Sequence, residues 1–287
     1  MYKLFRRTTE TKDLFVLDRL KALSFLLFIL MLTAITGCKG GGQSATTAPP
    51  ETVPITPITK VTNKAIPNNQ HSEDMRIALF GNSHVSGLAP LIQQAISAGN
   101  PQRPVAVVNL AGGFLDNSQT QSARESAITQ EPWTHLVLQG QKYSQSGTVT
   151  YPTSKAQAWI KLAKDYNITP ILFPEHPQRG DTTEATRVHQ LHVGIANQQS
   201  ACIAPVGLVW DRVQLLAPNV VLHASDGNHA SYTGKVLTAF VFYEVITGEP
   251  ADLLPVLPEF NVPANTQQLF KQVVSEVLQT HTPCQFP

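Results

Sequence analysis

Residues 76–84 read RIALFGNSH, a mostly apolar run followed by a glycine, an asparagine, a serine and a histidine. A short, nearly continuous apolar run bounded by turn residues is typical of a strand buried inside a sheet. The apolar spacing over residues 85–98 predicts a helix directly after the turn. A serine between such a strand and helix lies at the carboxyl edge of a parallel sheet, where ligands bind in open α/β folds.

The same alternation of apolar runs and helical spacing continues along the chain. Four more strands are predicted, at residues 105–110, 135–139, 170–173 and 202–206. Helices are predicted at residues 118–130, 153–166, 182–199, 208–216, 232–247 and 266–278. Strands that alternate with helices predict an α/β fold, with a central parallel sheet covered by helices on both faces.

The N-terminal segment has the pattern of an export signal. Arg19 and Lys21 precede a short apolar run at residues 22–32, and small residues follow this run. The run is shorter than the roughly 20 apolar residues that a membrane span needs. We therefore expect a signal peptide at residues 1–37, with an uncleaved membrane anchor as the alternative.

The residues that follow this apolar run suggest a lipid anchor. Ile35-Thr36-Gly37-Cys38 resembles the lipobox of bacterial lipoproteins, which implies cleavage before Cys38 and lipidation of its thiol. Lys39, rather than an aspartate, follows the cysteine, and this resemblance then implies sorting to the outer membrane, facing the periplasm. We expect the membrane to be a partner of the chain through this lipid.

Beyond the lipobox, the chain divides into a linker and one domain. Residues 38–74 are rich in Gly, Thr, Ser and Pro, and such a segment cannot bury enough apolar surface to offset its ordering entropy. Residues 75–287 are numerous enough for one hydrophobic core.

Six basic and three acidic residues lie up to Cys38, which leaves 15 basic and 17 acidic residues beyond it. A slightly acidic body has no electrostatic footprint for nucleic acid, so we expect no such partner.

Two pairs of residues raise the question of a disulfide or a metal. Cys202 and Cys284 are an even pair in an exported chain, where disulfides persist; a bridge and two separate thiols are about equally expected. His189 and His192 lie three residues apart on a predicted helix without a carboxylate spaced to join them. We interpret these histidines as a solvated helix face and expect no metal.

Residues with catalytic chemistry follow the predicted strands. Ser83 is either a nucleophile or the N-cap of the next helix, since serine is a favoured cap residue. Gly112 and Gly113 follow the second strand, where paired glycines either let the backbone approach a ligand or form a plain turn. Gln139 and Gln141 place amides after the third strand, at the same edge of the sheet.

A turn near the C-terminus holds an acid and a base. Asp226 and His229 lie three residues apart in the sequence SDGNH, just before a predicted helix. Across such a turn the carboxylate can accept the Nδ1 proton of the imidazole, which leaves Nε2 free to take a proton from a serine. The sequence therefore contains the three residue types of a Ser-His-Asp triad.

Four blocks in this order resemble the SGNH, or GDSL-like, hydrolase family. They are Gly81-Asn82-Ser83, the Gly112-Gly113 pair, Gly140, and Asp226-x-x-His229. The resemblance covers about residues 76–248. It implies a three-layer, flavodoxin-like α/β/α fold with a central parallel sheet, and hydrolysis of acyl esters without a metal or another cofactor.

The resemblance implies a role for each triad residue. Ser83 would attack the acyl carbonyl, and His229 would act first as general base and then as general acid. Asp226 would orient His229. Hydrolysis would then follow a Ser-His-Asp mechanism.

The resemblance also implies an oxyanion hole. The backbone N–H groups of Ser83 and of Gly112 or Gly113 would donate to the oxyanion. The family usually has an asparagine two residues after the third-block glycine, and Lys142 stands at that position. An equivalent amide is therefore expected from a neighbouring glutamine, Gln139 or Gln141, and we prefer Gln141.

These features predict a lipid-anchored envelope esterase whose substrate is a small acyl ester or an acylated, for instance O-acetylated, glycan. A protein that keeps the fold as a non-catalytic binding module is the alternative. Acyl transfer to a sugar instead of to water would use the same residues and differ in the exclusion of water.

Overall fold

Five parallel strands form the central sheet of the computed structural model, which describes residues 65–287. The strands are β1 (Met75–Gly81), β2 (Val105–Gly112), β3 (His135–Leu138), β4 (Thr169–Leu172) and β5 (Cys202–Ile203). Their order in the sheet is β2-β1-β3-β4-β5, so β1 lies between the second and third strands of the chain. The predicted signal peptide, Cys38 and most of the predicted linker lie outside the described residues.

Within residues 65–287, seven α-helices connect and cover the strands. They are α1 (Leu88–Gly99), α2 (Ser118–Gln130), α3 (Ser154–Asp165), α4 (Glu184–Gln198), α5 (Val206–Leu216), α6 (Tyr232–Thr247) and α7 (Ala264–Thr280). Among the described residues, no helix combines the length and apolar character needed to cross a membrane.

Both faces of the sheet are buried, as the continuous apolar runs predict. Successive side chains of a strand point to opposite faces. In β1, Ile77 and Leu79 belong to one apolar cluster, whereas Ala78 and Phe80 belong to the other. The predicted α/β fold with a central parallel sheet between two helical layers is therefore confirmed.

The first helix begins later than its apolar spacing predicts. Ser83–Val85 form a single 3-10 turn, and α1 begins only at Leu88. Gly87 between them has φ of +75°, a left-handed conformation that is readily available to glycine and that breaks the helical path. This break leaves Ser83 in a tight turn of its own at the end of β1.

The domain begins before Met75, so the predicted linker boundary is too late. Ile66 is 3% exposed and packs in the main apolar cluster. The Asn69 side-chain amide donates to the carbonyls of Thr134 and Asn167, both at 2.9 Å. These contacts lie at the amino ends of β3 and β4, because Thr134 precedes β3 and Asn167 precedes β4. The segment lacks periodic apolar residues, so its packing leaves no pattern in the sequence.

A disulfide ties the C-terminal tail to the last strand. Cys202 and Cys284 are bonded, with an S–S distance of 2.09 Å, which selects one of the two expectations for these cysteines. The backbone N–H of Ile203 also donates to the carbonyl of Pro283 at 2.8 Å. The tail is thus held beside β5 by a covalent bond and a backbone hydrogen bond.

Candidate active site

The turn after β1 presents Ser83 to solvent. Asn82, and not Ser83, caps the 3-10 turn, because the Asn82 Oδ1 accepts a hydrogen bond from the N–H of His84 at 3.0 Å. The N–H of Asn82 in turn donates to Gln139 Oε1 at 2.8 Å. The cap interpretation of Ser83 is therefore wrong, and its hydroxyl is left for another partner.

That partner is His229. Ser83 Oγ lies 2.7 Å from His229 Nε2, and His229 Nδ1 lies 2.6 Å from Asp226 Oδ2. A carboxylate can only accept, so Nδ1 carries the ring proton and Nε2 offers its lone pair to the serine hydroxyl. The structure thus brings together the three predicted triad residues, which are 146 and 3 residues apart in the sequence.

Hydrogen bonds hold Asp226 as a carboxylate. The His229 side chain, followed by the backbone N–H groups of His229 and Asn228, lowers the pKa of Asp226 below its ordinary value. Both N–H groups donate to Oδ1 at 3.0 Å, while Oδ2 accepts from the imidazole. Each oxygen of the carboxylate therefore has a separate function, one closing the turn and the other orienting the base.

The turn that carries the acid and base, residues 223–230, has a short antiparallel base and is hereafter called the catalytic loop. His223 and Ala230 form an isolated bridge, and the N–H of Ala224 donates to the carbonyl of His229 at 2.7 Å. Gly227 at the tip has φ of +73°, which few other residues adopt. The loop leads into α6, whose first turn is capped by Ser231.

The glycine block supplies one candidate oxyanion donor and not the other. Gly113 donates its N–H to the carbonyl of Gly81 at 2.8 Å, so the predicted role of Gly113 as a donor is wrong. The register of β1 and β2 shifts at this point, and Gly112 pairs with Gly81. This pair lies beside the turn at residues 82–85 that carries Ser83, hereafter called the nucleophile turn. Gly112 and Ser83 therefore remain the predicted backbone donors.

Neither glutamine presents a free amide to the serine. Gln141 donates from Nε2 to the carbonyls of Lys142 and Pro152, at 2.8 and 3.2 Å, which occupies both hydrogens of its NH₂ group. Gln139 is fully buried, and its Nε2 donates to Glu175 Oε2. The predicted third donor at Gln141 is thus wrong in this conformation, because the amide holds the following loop in place.

Lys142 lies at the rim of the same site. Its Nζ is 2.7 Å from Asp116 Oδ2 and 5.3 Å from the ring centroid of Phe114. The ammonium group is therefore already paired with a carboxylate and an aromatic ring.

The triad opens into a wide cleft with a volume of about 880 Å³. Besides Ser83 and His229, its walls consist mainly of the loop after β3 and of Phe114, which follows β2; the other lining residues include Gln141, Lys142, Tyr143, Ser144, Gln145, Ser146 and Tyr151. Phe114 and Tyr151 are 44% and 38% exposed. No pattern in the sequence marks these aromatic residues, because a loop has no periodicity that distinguishes its inward side chains.

A partly buried polar cluster lies beside Ser83 at the wall of the cleft. The Tyr143 hydroxyl lies 2.9 Å from Glu175 Oε1 and 3.0 Å from Glu184 Oε1. Burial, and then the charge of Glu175, raise the pKa of Tyr143 above its ordinary value, so the phenol remains a donor. His84 stacks on the ring of His229, with centroids 5.1 Å apart, and its Nε2 is 3.8 Å from Glu175 Oε1.

His189 and His192 are buried, which contradicts their interpretation as a solvated helix face. They are 8% and 2% exposed, and burial lowers the pKa of each to about 4. Within residues 65–287, no group of three or more His, Cys, Asp or Glu side chains is placed to hold a metal ion.

Comparisons with known proteins bear on the fold. No family model matches the chain, and no curated protein matches its sequence. A solved DUF4886 family protein from Bacteroides uniformis is 14% identical, with a TM-score of 0.56 over 74% of this chain and 98% of that chain. The likeness supports the predicted fold class, a central parallel sheet between two helical layers.

Two further solved structures with lower TM-scores match the chain. A candidate SGNH hydrolase from Slackia heliotrinireducens is 20% identical, with a TM-score of 0.49 over 60% of this chain and 98% of that one. A catalytic mutant of an acetylxylan esterase from Geobacillus stearothermophilus is 13% identical, with a TM-score of 0.49 over 61% and 94% of the two chains.

Proposed function

We propose that this chain is a serine esterase of the SGNH type, exported and held at the bacterial cell envelope by a lipid on Cys38. The observation that carries the esterase proposal is the unbroken hydrogen-bond path from Ser83 Oγ through His229 to Asp226, with distances of 2.7 and 2.6 Å. A serine paired with a base that is oriented by a third group is the arrangement of an activated nucleophile.

In the first half of the reaction, Ser83 Oγ attacks the acyl carbonyl while its proton moves to His229 Nε2. The imidazolium that forms is stabilised by the Asp226 carboxylate, which its hydrogen bonds keep ionised. His229 then gives the proton to the leaving alcohol.

The oxyanion of the tetrahedral intermediate would be bound by the backbone N–H groups of Ser83 and Gly112. In the second half, His229 takes a proton from water as the water oxygen attacks the acyl carbonyl. The bond between Ser83 Oγ and the acyl group then breaks, His229 returns its proton to Oγ, and the carboxylic acid is released. Removal of one oxyanion donor typically costs about 10²–10³ in rate, so two donors in place of three predict a modest rate.

The shape of the cleft supports a small acyl group on a larger polar alcohol. The cleft has a volume of about 880 Å³ and is open to solvent. Exposed aromatic faces at Phe114 and Tyr151 offer apolar surface for sugar rings, whereas Ser144 and Ser146 offer hydroxyls. An acylated glycan fits this combination.

A non-catalytic binding module on the same fold is the competing proposal. The observation that favours it is the occupied amide of Gln141, which leaves the third oxyanion position without the expected donor. Acyl transfer to a sugar would use the same triad and a drier site.

Hydrolysis of an aryl acetate by the full chain in detergent tests the esterase proposal. We expect turnover by the wild type and a loss on the order of 10⁴-fold or more in Ser83→Ala. Reaction with a phosphonate that labels active serines provides a second measurement. Equal rates in the two proteins, or no rate and no labelling in either, would favour the binding module.

The anchor is tested separately. Cys38→Ser should leave the signal uncut or release the protein from the membrane fraction, and fractionation of the envelope would show whether the wild type is in the outer membrane. Unchanged lipidation of the Cys38→Ser variant would contradict the anchor proposal.

A further inference from the structure

One short segment after β4, residues 176–179, contacts the catalytic loop from outside. Six hydrogen bonds join the two: His176 Nε2 to Asn228 O, His223 Nε2 to Pro177 O, Gln178 Nε2 to Asn228 Oδ1, Arg179 N to Gly227 O, and the Arg179 guanidinium to the carbonyls of His223 and Ala224. Asp226 and His229 belong to this loop, and outside it His229 contacts Ser83 and the ring of His84. The position of the loop therefore sets where the acid and the base stand relative to Ser83.

Arg179 makes the most of these contacts. Its guanidinium donates to the carbonyl of Ala224 and, at 3.3 Å, to that of His223. Its backbone N–H donates to the carbonyl of Gly227 at 2.8 Å. One residue thus holds the loop on both sides of Asp226.

The side chain of Arg179 is exposed and belongs to neither apolar cluster. Its planar guanidinium carries several donors in a fixed, forked geometry, so it can bind two carbonyls at once. A residue with these contacts can be removed without opening the core, which separates a local effect on the loop from an effect on folding.

His176 holds the other end of the loop. Its ring stacks on Trp210 with centroids 3.9 Å apart, and its Nε2 lies 3.0 Å from the carbonyl of Asn228. Burial lowers the pKa of His176 to about 3, so the ring is neutral and its single proton is on the nitrogen that faces the carbonyl. This contact fixes the residue immediately before His229.

The same segment is connected to the nucleophile turn. The N–H of Gln178 donates to Glu184 Oε2 at 2.6 Å, and Tyr143 bridges Glu184 and Glu175. Glu175 accepts from Gln139, whose Oε1 accepts from Asn82 beside Ser83. A continuous set of hydrogen bonds therefore joins the two halves of the triad from behind.

We propose that Arg179 is a positioning residue for Asp226 and His229, acting through the backbone of the catalytic loop. This inference rests on the proposed function for its kinetic consequence. Loss of the guanidinium frees the carbonyls before Asp226, and the loop then samples positions in which Nδ1 no longer faces the carboxylate. Since a misplacement of 1 Å can cost about 10²-fold in rate, we expect kcat to fall about 10- to 100-fold in Arg179→Ala, with little change in KM.

The test uses the full chain in detergent and three variants. Arg179→Ala removes the fork, and Arg179→Lys keeps the charge without the fork. Arg212→Ala is the matched control, since Arg212 is also on the surface and pairs with Glu276 at 2.8 Å, in two helices outside the catalytic loop. For each protein, kcat, KM and the melting temperature are measured, with and without added guanidinium.

A second measurement does not depend on activity. Correlations between ring protons and ring nitrogens in protein with ¹⁵N-labelled histidine report the tautomer of His229, assigned with His229→Gln. We expect the Nδ1–H tautomer in the wild type and in Arg212→Ala, and a mixture of tautomers in Arg179→Ala.

The proposal is supported by lower kcat at unchanged KM, partial recovery with guanidinium, incomplete function of Arg179→Lys, and a mixed tautomer. Wild-type kcat or a wild-type tautomer in Arg179→Ala would overturn it, as would a loss explained entirely by a smaller folded fraction. If the wild type hydrolyses nothing, the esterase proposal fails, and the tautomer alone decides whether Arg179 positions His229.

Discussion

Gln139 lies over Gly81 so closely that a β-carbon at position 81 would be 2.4 Å from Gln139 Oε1. The same oxygen accepts the N–H of Asn82 at 2.8 Å, directly beside the nucleophile. The glycine of the first block is therefore required by the amide behind it, and this packing fixes where the turn places Ser83.

Gly81→Ala should displace the nucleophile turn. The added methyl group would also approach Val85 Cγ1 to 2.6 Å, and overpacking of this kind costs about 1–3 kcal/mol. We expect a lower melting temperature and a fall in kcat of at least tenfold. Gly194→Ala is the control, because nothing lies within 4 Å of its β-carbon and it is inside α4. If both variants behaved alike, the close approach would not matter.

Asp226→Asn should leave the fold intact and impair the base. The amide NH₂ group of the variant donates a hydrogen bond where the carboxylate oxygen accepted one from Nδ1–H, so the tautomer that leaves Nε2 free is no longer favoured. A loss on the order of 10⁴-fold in kcat is typical of this change in a triad. The measurement is kcat of an aryl acetate together with circular dichroism, and a loss below tenfold would mean that Asp226 does not orient His229.

Lys142→Asn tests the third oxyanion position. Asparagine is the residue that SGNH hydrolases usually have there, and Lys142 is paired with Asp116 at 2.7 Å. Because one donor is worth about 10²–10³ in rate, we expect kcat to rise by about tenfold or more. Lys142→Met removes the charge without supplying an amide and should give no rise. An equal effect of the two changes would assign the effect to the lost ammonium.

Four buried histidines should make stability fall as the solution becomes mildly acidic. Burial lowers the pKa of His135 and His176 to about 3, and of His189 and His192 to about 4. The unfolded chain binds these protons near pH 6.5, whereas the folded chain does not. Stability is therefore complete above pH 6.5 and decreases as the pH falls toward these lowered values.

A single variant isolates one of these groups. His192→Asn keeps a donor near the carbonyl of Val188, which His192 Nδ1 contacts at 2.8 Å, but does not titrate. The free energy of unfolding should fall between pH 7.5 and pH 5 by about 2 kcal/mol less in the variant than in the wild type. Identical pH dependence in the two proteins would show that His192 takes up its proton in the folded state as well.

The sheet and the triad were predictable because local sequence patterns indicate both. The run at residues 76–80 had to be buried on two faces, and parallel strands bring Ser83, Gly112 and the residues after β3 to one edge. The Asp-x-x-His spacing of Asp226 and His229 needs only one turn to close.

The remaining details depend on contacts between distant residues. The N–H of Gly113 is bonded to the carbonyl of Gly81 because the register of β1 and β2 shifts next to it. The direction of the Gln141 amide depends on the carbonyl of Pro152, eleven residues later. The role of Arg179 depends on three carbonyls in a different loop. None of these partners is adjacent in sequence, so no local spacing indicates them.

The segment before Met75 determines which part of the domain bears tension that is applied through the N-terminal chain. Asn69 is bonded at the amino ends of β3 and β4, and the triad stands at the carboxyl ends of the strands. With a lipid on Cys38, tension from the envelope would therefore act on Ile66 and Asn69, at the opposite edge of the sheet from Ser83. The seven residues of β1, about 23 Å of strand, would separate the edge that bears this tension from the edge that carries Ser83. The cleft would then turn toward a distant glycan without strain on its own geometry.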